Sequence, residues 1–214
     1  MPTDTRRRRL LLGLPGLLLA APALAEALRV TPRQPAGPFY PDELPLDHDN
    51  DLTRVVGREG RAQGRITDLT GRVIDTAGRP VDGARVEIWQ CDARGRYRHP
   101  LDSRDVPVDS DFQGFGRTQT TLDGRYRFRT IRPVAYPGRT PHIHVAVHLE
   151  WEPPFVTQLY VARESLNDGD FLYRRIPGER RGLVTTAFVP TGGGEAELAA
   201  TFDIVLGRDG TPAG

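Results

Sequence analysis

His142 and His144, separated by one residue, are the pair in this 214-residue chain whose type and spacing best suit binding of a metal ion. Side chains alternate between the faces of a β-strand, so both imidazoles project from one face about 6.8 Å apart, close enough to bind one ion. Ile143, Val145 and Val147 then face the core. A strand with polar histidines on a solvated face has the same pattern, so the rest of the sequence must distinguish the two interpretations.

The composition limits which further ligands such a site could use. Two neutral imidazoles hold a metal weakly. The single cysteine, Cys91, excludes multi-thiolate zinc and iron–sulfur sites, and no Asp or Glu lies beside the histidines to complete a two-histidine, one-carboxylate site. Tyr97 and Tyr136 remain as candidates. A phenol with an ordinary pKa near 10 ionises only beside a strong positive charge, which a hard trivalent ion such as Fe(III) supplies.

Seven short motifs of the chain resemble those of the intradiol ring-cleavage dioxygenases, a family of non-haem Fe(III) enzymes. They are Thr31–Tyr40 (TPRQPAGPFY), Gly71–Asp75 (GRVID), Ile88–Gln90 (IWQ), Gly95–Tyr97 (GRY), Phe112–Arg117 (FQGFGR), Pro141–His144 (PHIH) and Thr157–Tyr160 (TQLY). The ligand types recur in order among these flanking residues. The resemblance implies that the four Fe(III) ligands are Tyr97, Tyr136, His142 and His144.

The activity that the resemblance implies is cleavage of a catechol-type ring between its two hydroxylated carbons, with both atoms of O₂ inserted to give a muconate-type diacid. Arg139 matches the family arginine that stabilises charge on the bound ring, and a surface salt bridge is the alternative. Tyr97 is expected to remain a permanent ligand. Tyr136 is expected to leave the metal when the diol binds and to take a substrate proton, with two equivalent structural ligands as the alternative.

Three further residues lie near the substrate according to the same resemblance. Phe39 and Tyr40 would lie at the mouth of the pocket, where either ring could stack on an aromatic diol. The alternative is that both rings only pin their segment to the fold. Gln158 resembles a residue near the iron in the family, with ordinary strand packing as the competing interpretation.

Two other interpretations of the chain remain open. Non-catalytic modules similar to transthyretin and the carboxypeptidase regulatory domain share the motifs Gly71–Asp75, Asp82–Val86 and Asp123–Phe128, and would need none of the four ligands. A zinc or copper site also uses His-x-His, although zinc rarely recruits phenolates and a hydrolase would want a carboxylate base. His99 and His148 are expected to be bystanders.

Residues 1–25 have the pattern of an export signal, with Arg6–Arg9, an apolar stretch broken by Pro15, and a final Ala-Leu-Ala. The apolar stretch is too short for a stable membrane anchor. The arginines suggest the twin-arginine route, which carries folded proteins, and ordinary secretion is the alternative. We therefore expect cleavage after Ala25 and a periplasmic or extracellular protein.

The charge and lysine content of the chain exclude several functions. Without residues 1–25, 25 basic and 27 acidic residues remain, a net charge of −2 that leaves no footprint for nucleic acid. The absence of lysine excludes a Schiff base, a pyridoxal anchor and a phosphate-loop lysine. The expected partners are a catechol-type small molecule and O₂. The stretch from Tyr136 to His142 is shorter than in protocatechuate and catechol enzymes, so the particular catechol stays open, as does the oligomeric state.

The elements that would position these residues are predicted to be all-β: an antiparallel β-sandwich with an extended N-terminal arm. Turn sequences at 76–80, 122–124 and 191–194 separate short β-rich runs, and Tyr126 and Phe128 alternate with arginines as in a half-buried antiparallel strand. Residues 26–65 contain five prolines. We expect them to form an arm laid over the sandwich rather than part of its core, and 66–214 to form the sandwich domain.

Overall fold

The structure of the chain, a computed structural model, describes residues 27–45 and 47–207. Within these ranges the strands are β1 Ile66–Asp75, β2 Arg85–Trp89, β3 Phe115–Gln119, β4 Arg125–Ile131, β5 His142–His148, β6 Phe155–Val161, β7 Thr185–Thr186, β8 Val189–Pro190, β9 Leu198–Thr201 and β10 Ile204–Leu206. The helical elements are α1 Phe171–Arg174 and the 3₁₀ segments Ser165–Gly169 and Gly178–Val184. The predicted export signal, residues 1–25, lies outside the described residues. No helix in the described ranges has the length and apolar character needed to cross a bilayer.

The strands form two five-stranded sheets. In one, β1 pairs antiparallel with β4 and parallel with β9 and β10, and β8 pairs with β9. The other has the order β3-β2-β5-β6-β7 and is antiparallel except between β6 and β7. The sheets are therefore mixed, and the prediction of a purely antiparallel sandwich is wrong. Residues 76–197 separate β1 from β9, and such a long connection allows the chain to return in the parallel direction.

The main core lies between the two sheets. Leu69 and Val73 of β1 pack there with Ile143, Val145 and Val147 of β5, so the predicted core face of the histidine strand is confirmed. The other face of β5 is also covered, because every residue from 142 to 147 is buried. A second cluster of aromatic side chains, described below, lies on that face.

The segment before β1 forms no strand in residues 27–45 and 47–65. It runs along both sheets: Thr31 N–H donates to Val205 O at 3.0 Å and Gln34 N–H to Val156 O at 2.9 Å. The expectation that this region stays outside the core is wrong at Leu52 and Ala62, which belong to the main core. Leu52 fits because Gly116 of β3 has no side chain; a Cβ there would lie 2.5 Å from the Leu52 side chain.

Candidate metal centre

The two histidines of β5 converge inside the protein. Each is 1% exposed, and their Nε2 atoms lie 3.1 Å apart. The interpretation of polar histidines on a solvated face is therefore excluded. His142 Nδ1 lies 2.7 Å from the carbonyl oxygen of Thr140, which assigns the ring proton to Nδ1 and leaves the Nε2 lone pair free to bind a cation. His144 Nδ1 is buried without a hydrogen-bond partner in the described part of the chain.

The ring of His144 is held from both sides by its surroundings. It stacks on Trp89 of β2, with centroids 4.8 Å apart and planes inclined by 6°. The segment before β1 also approaches this ring, since a Cβ on Gly37 would lie 3.4 Å from His144 Cε1. Gly37 has a φ of +73°, a conformation that favours glycine. Trp89, which is itself buried, therefore orients a candidate ligand.

Tyr97 lies close to this pair on the loop after β2. Its ring centroid is 6.4 Å from that of His144, and its hydroxyl is buried without a hydrogen-bond partner in the described ranges. The Tyr97 N–H donates to Asp102 at 2.8 Å, which fixes the loop. Gly95 lets this loop approach the next one, since a Cβ there would lie 2.9 Å from Ala135 O.

Tyr136 completes the group from the loop between β4 and β5. Its ring centroid is 5.5 Å from that of Tyr97 and 5.6 Å from that of His142. A tight turn brings Arg139 back to it, with the Arg139 N–H bonded to Tyr136 O at 2.9 Å and Gly138 at φ +82°. Tyr136 is half-buried, whereas Tyr97 is buried. The structure thus brings together all four side chains predicted as ligands.

Burial shifts the pKa values of the two ligand types in opposite directions. Burial, aided by the charge of Arg139, lowers the pKa of His142 to about 3, and burial together with His142 lowers the pKa of His144. Both imidazoles are therefore neutral and available as ligands at physiological pH. Burial raises the pKa of Tyr97 and of Tyr136 above the ordinary phenol value. The phenols therefore ionise here only if a cation offsets the burial.

Arg139 connects Tyr136 to a buried polar network. Its guanidinium donates through Nε to Asp170 at 2.8 Å and through Nη2 to Gln158 Oε1 at 2.5 Å, and Nη1 lies 3.5 Å from the Tyr136 hydroxyl. The side chain of Arg139 is 9% exposed and that of Asp170 is 0% exposed, so the alternative of a surface salt bridge is wrong. Gln158 of β6 lies opposite His144 of β5, and its Nε2 donates to Pro35 O at 3.0 Å.

Phe39 and Tyr40, the candidate substrate contacts of the N-terminal segment, have different surroundings. Phe39 stacks on Tyr97 with centroids 4.5 Å apart. Tyr40 packs edge-on against Trp89, and its hydroxyl donates to the buried Glu87 at 2.9 Å. Burial and this bond raise the pKa of Tyr40 to about 12. These contacts favour the alternative that Tyr40 fixes its segment to the fold rather than contacting a substrate. Phe39, in contrast, lies beside Tyr97 and Tyr136.

The remaining candidates from the sequence lie outside the group formed by Tyr97, Tyr136, His142 and His144. His99 contacts Tyr40 O at 3.1 Å, and His148 bonds Glu87 at 2.7 Å. Cys91 is buried, and burial raises the pKa of its thiol to about 12, as expected for an inert core residue. The residue that sequence reasoning missed is Asp170. The sequence signal for it was an Asp directly before Phe-Leu-Tyr, a typical helix N-cap.

A cavity of about 260 Å³ opens beside Tyr136 and Arg139. It is lined by Ala135, Tyr136, Gly138, Arg139, Thr140, Leu166, Gly169 and Asp170. Its two charged residues, Arg139 and Asp170, are paired with each other. Tyr97 does not line this cavity; it borders a separate space of about 180 Å³ beside Phe39 and Trp89. An aromatic ligand in the larger cavity would therefore meet Tyr136 rather than Tyr97.

Comparison with known proteins identifies the relatives of this chain. The family model described as Dioxygenase matches residues 36–208. The protocatechuate 3,4-dioxygenase beta chain of Burkholderia cepacia is 41% identical over 179 residues, covering 78% of this chain and 75% of that protein. The hydroxyquinol 1,2-dioxygenase of Corynebacterium glutamicum is 32% identical over 158 residues, which span 64% of this chain and about half, 48%, of that enzyme.

Solved structures agree with this result. The dioxygenase domain of a dioxygenase carbohydrate-binding protein fusion from Streptomyces sp. SirexAA-E is 28% identical, with a TM-score of 0.62 over 84% of this chain and 99% of that chain. An intradiol ring-cleavage dioxygenase from Tetranychus urticae, 21% identical over 84% of this chain and 95% of that chain, shares the fold with a TM-score of 0.66. These relatives favour an enzyme over a non-catalytic module. The chain belongs to the intradiol ring-cleavage dioxygenase family.

Proposed function

We propose that this protein is an Fe(III) dioxygenase that opens a catechol-type ring between its two hydroxylated carbons, using O₂, to give a muconate-type diacid. Two imidazole Nε2 atoms converge to 3.1 Å beside two phenols, one of them buried without a hydrogen-bond partner among the described residues, and this arrangement supports the function most strongly. Family membership supports the same reaction class.

The donor set suits Fe(III) better than zinc or copper. Tyr97, Tyr136, His142 and His144 would hold the ion, and when bound it would supply the positive charge that lets phenols and a diol ionise. The imidazoles are already neutral, whereas the tyrosine pKa values are raised by burial. A hard trivalent cation offsets that burial more strongly than a divalent ion. The groups of three or more His, Cys, Asp and Glu that zinc usually favours do not occur among the described residues.

The two tyrosines would have different roles in the reaction. Tyr136 borders the cavity, so its Oη can meet the hydroxyl of an incoming diol and accept a proton from it. The Arg139 Nη1, 3.5 Å from that Oη, stabilises negative charge at the same point. Tyr97 is buried and stacked under Phe39, which suits a ligand that stays bound throughout.

The cavity supports a single-ring substrate. Its free walls are alanine, glycine, threonine and leucine, and its charged groups are already paired. The names of the relatives suggest which compounds to test, namely protocatechuate, catechol and hydroxyquinol, with chlorinated and alkylated catechols added. An O₂-uptake screen of the iron-loaded mature protein against these diols would identify the substrate.

The metal is tested directly by the colour of the protein. Tyrosinate bound to Fe(III) absorbs visible light, so the purified protein should be coloured, hold about one iron per chain and change its spectrum when a catechol is added without O₂. A Tyr97→Phe variant should lose part of that absorption. A colourless, active protein with stoichiometric zinc would overturn the Fe(III) proposal.

We also propose that the protein is exported through the segment 1–25. The four arginines and the Ala-Leu-Ala sequence support this proposal. Mass spectrometry of the protein recovered from the periplasm or medium should give Glu26 as its first residue. A cytoplasmic protein that keeps Met1 would refute it.

A further inference from the structure

The carboxylate of Asp170 is saturated with hydrogen bonds although its side chain is fully buried. One oxygen, Oδ2, accepts from Arg139 Nε at 2.8 Å and from the Thr140 N–H at 3.0 Å. The other, Oδ1, accepts from the N–H groups of Leu172 and Tyr173, each at 2.9 Å. Burial alone raises the pKa of Asp170, but these backbone and guanidinium donors bring it below the ordinary value. The group is therefore a fixed negative charge.

The position of this charge determines where the Arg139 guanidinium can point. A guanidinium is a rigid planar fork, so two anchors fix its plane. Asp170 holds Nε and Gln158 holds Nη2. Only Nη1 then faces the Tyr136 hydroxyl, 3.5 Å away on the cavity side. If the Nε anchor is removed, the bond to Gln158, the long 3.5 Å contact with Tyr136 and the Phe171 ring 5.7 Å away remain, and none of these is an ion pair that fixes the plane of the fork.

We propose that Asp170 is a positioning residue: it clamps Arg139 so that Nη1 faces Tyr136 and the diol bound beside it. The assignment rests on the proposed function and extends it to Asp170, which lines the same cavity as Tyr136 and Arg139 but is not one of the four candidate ligands. The clamp also joins two loops, because Asp170 caps α1 on its own segment and accepts from the Thr140 N–H, two residues before β5 begins.

A purely structural role for Asp170 must be separated from this one, since helix capping alone stabilises a fold. Serine is a good N-cap residue, but it is uncharged and has one oxygen, so it cannot cap the helix and also form an ion pair with Arg139. Asp170→Ser should therefore keep the cap and remove the clamp. Asp170→Asn keeps the size of the side chain and serves as the second variant, in case the serine protein does not fold.

The matched control comes from the same turn. Asn167 accepts from Thr140 Oγ1 at 2.8 Å and donates to Val161 O at 2.9 Å, so it anchors the segment through bonds that do not involve Arg139. Asn167→Ala should lower the melting temperature and leave the orientation of Arg139 intact. A structural effect of loosening this turn will then appear in the control as well as in the Asp170 variants.

The experiment is a double-mutant cycle on the iron-loaded full chain with Asp170→Ser, Arg139→Gln and the pair. We measure kcat/KM for the best diol of the screen and the anaerobic Kd for 4-nitrocatechol. Loss of the clamp should lower kcat/KM by about 100-fold, as misplacing a group by about 1 Å does. If Asp170 acts through Arg139, the double variant should match Arg139→Gln in both quantities. Losses that multiply in the double variant, or an equal loss in Asn167→Ala, would overturn the proposal.

A measurement that needs no turnover separates this proposal from the proposed function. In the full chain carrying diamagnetic Ga(III), the Arg139 Nε–H should exchange slowly with water in the parent and in Asn167→Ala, because it is bonded to a buried carboxylate. Exchange should accelerate at least tenfold in Asp170→Ser. Unchanged exchange overturns the clamp even if the protein is an active dioxygenase. A parent that opens no diol overturns the proposed function, and the role of the clamp in it, whatever the exchange shows.

Discussion

Replacement of His144 by Ala tests the candidate metal centre most directly, with His148→Ala as its matched control. Both residues lie on β5, but His144 contributes one of the two converging Nε2 atoms while His148 binds Glu87 at 2.7 Å. We expect the His144 variant to lose iron and the His148 variant to keep it. The difference would separate the loss of a ligand from a general effect of altering the strand.

The expected magnitudes follow from the surroundings of His144. Structural zinc sites with four protein ligands bind with about 10–16 kcal/mol, so removal of one ligand should cost about 3 kcal/mol, or roughly 100-fold or more in affinity. The fold itself should change less. The cavity left beside Trp89 and Gly37 costs about 2–5 kcal/mol. Removal of the buried Nδ1, which has no hydrogen-bond partner in the described ranges, recovers about 1–3 kcal/mol.

The assay is iron content per chain after dialysis against a weak chelator, measured with the visible absorption and with the melting temperature of each metal-free protein. His144→Ala should be colourless and hold little iron, with a melting temperature within several degrees of the parent. Normal iron in this variant would remove His144 from the site. Equal iron loss in His148→Ala would show that the iron is lost through disturbance of strand β5 rather than through removal of a ligand.

Three further outcomes follow from the structure. Tyr136→Phe should keep its iron but form the anaerobic catechol complex more slowly, most of all below the first pKa of the diol where a base is needed, and an unchanged rate would refute the base role. Burial alone raises the pKa of Glu87, but hydrogen bonds from His148 and Tyr40 bring it below the ordinary value, so the stabilisation by this carboxylate is present above the unfolded pKa near 4.5 and disappears as pH falls through the lower folded pKa. Glu87→Gln should therefore cost about 1–3 kcal/mol at pH 7 and flatten the acid unfolding curve. A denaturation series at several pH values measures both effects. Changing Arg6–Arg9 to lysine should keep the protein in the cytoplasm by cell fractionation, whereas continued export would indicate the ordinary secretion route.

The ligand strand could be predicted from the sequence because its information is local. The alternation of His142, Ile143 and His144 predicts that both imidazoles share one face and that Ile143 faces the core, and the structure has that arrangement. The turn that places Tyr136 beside Arg139 is also local, because it spans four residues and contains Gly138 at a positive φ. Motifs whose residues lie within one strand or one turn carry their geometry with them.

The parts that sequence reasoning missed depend on contacts between distant residues. Asp170 reaches Arg139 across 31 positions, and Leu52 enters the core beside Gly116 of a later strand. The parallel pairing of β9 with β1 depends on where a long connection returns. No local periodicity encodes such pairings. The family resemblance indicated the four candidate ligands, but it did not indicate the distant residues that hold them in place.

The opposite pKa shifts of the two ligand types lead to a last prediction. The imidazoles are already neutral, because burial lowers the pKa of His142 to about 3 and also lowers that of His144. The phenols are protonated, because burial raises the pKa of Tyr97 and of Tyr136. Among the four candidate ligands, the tyrosines and not the histidines should therefore release protons when a trivalent ion binds, two per chain, and this contribution should raise the apparent affinity by up to about 100-fold per pH unit near neutrality.

Proton release can be measured by adding chelated Ga(III) to the weakly buffered metal-free chain at pH 7 and titrating back to the starting pH. The parent should release two protons more than the chelate alone, and Tyr97→Phe should release one. This difference isolates the tyrosine contribution because both titrations use the same chelate. Release of no protons would mean that the phenols are not ligands. Extra protons released equally by the parent and by Tyr97→Phe would come from water bound to the trivalent ion, and they would leave the difference between the two proteins, which measures the phenol, unchanged.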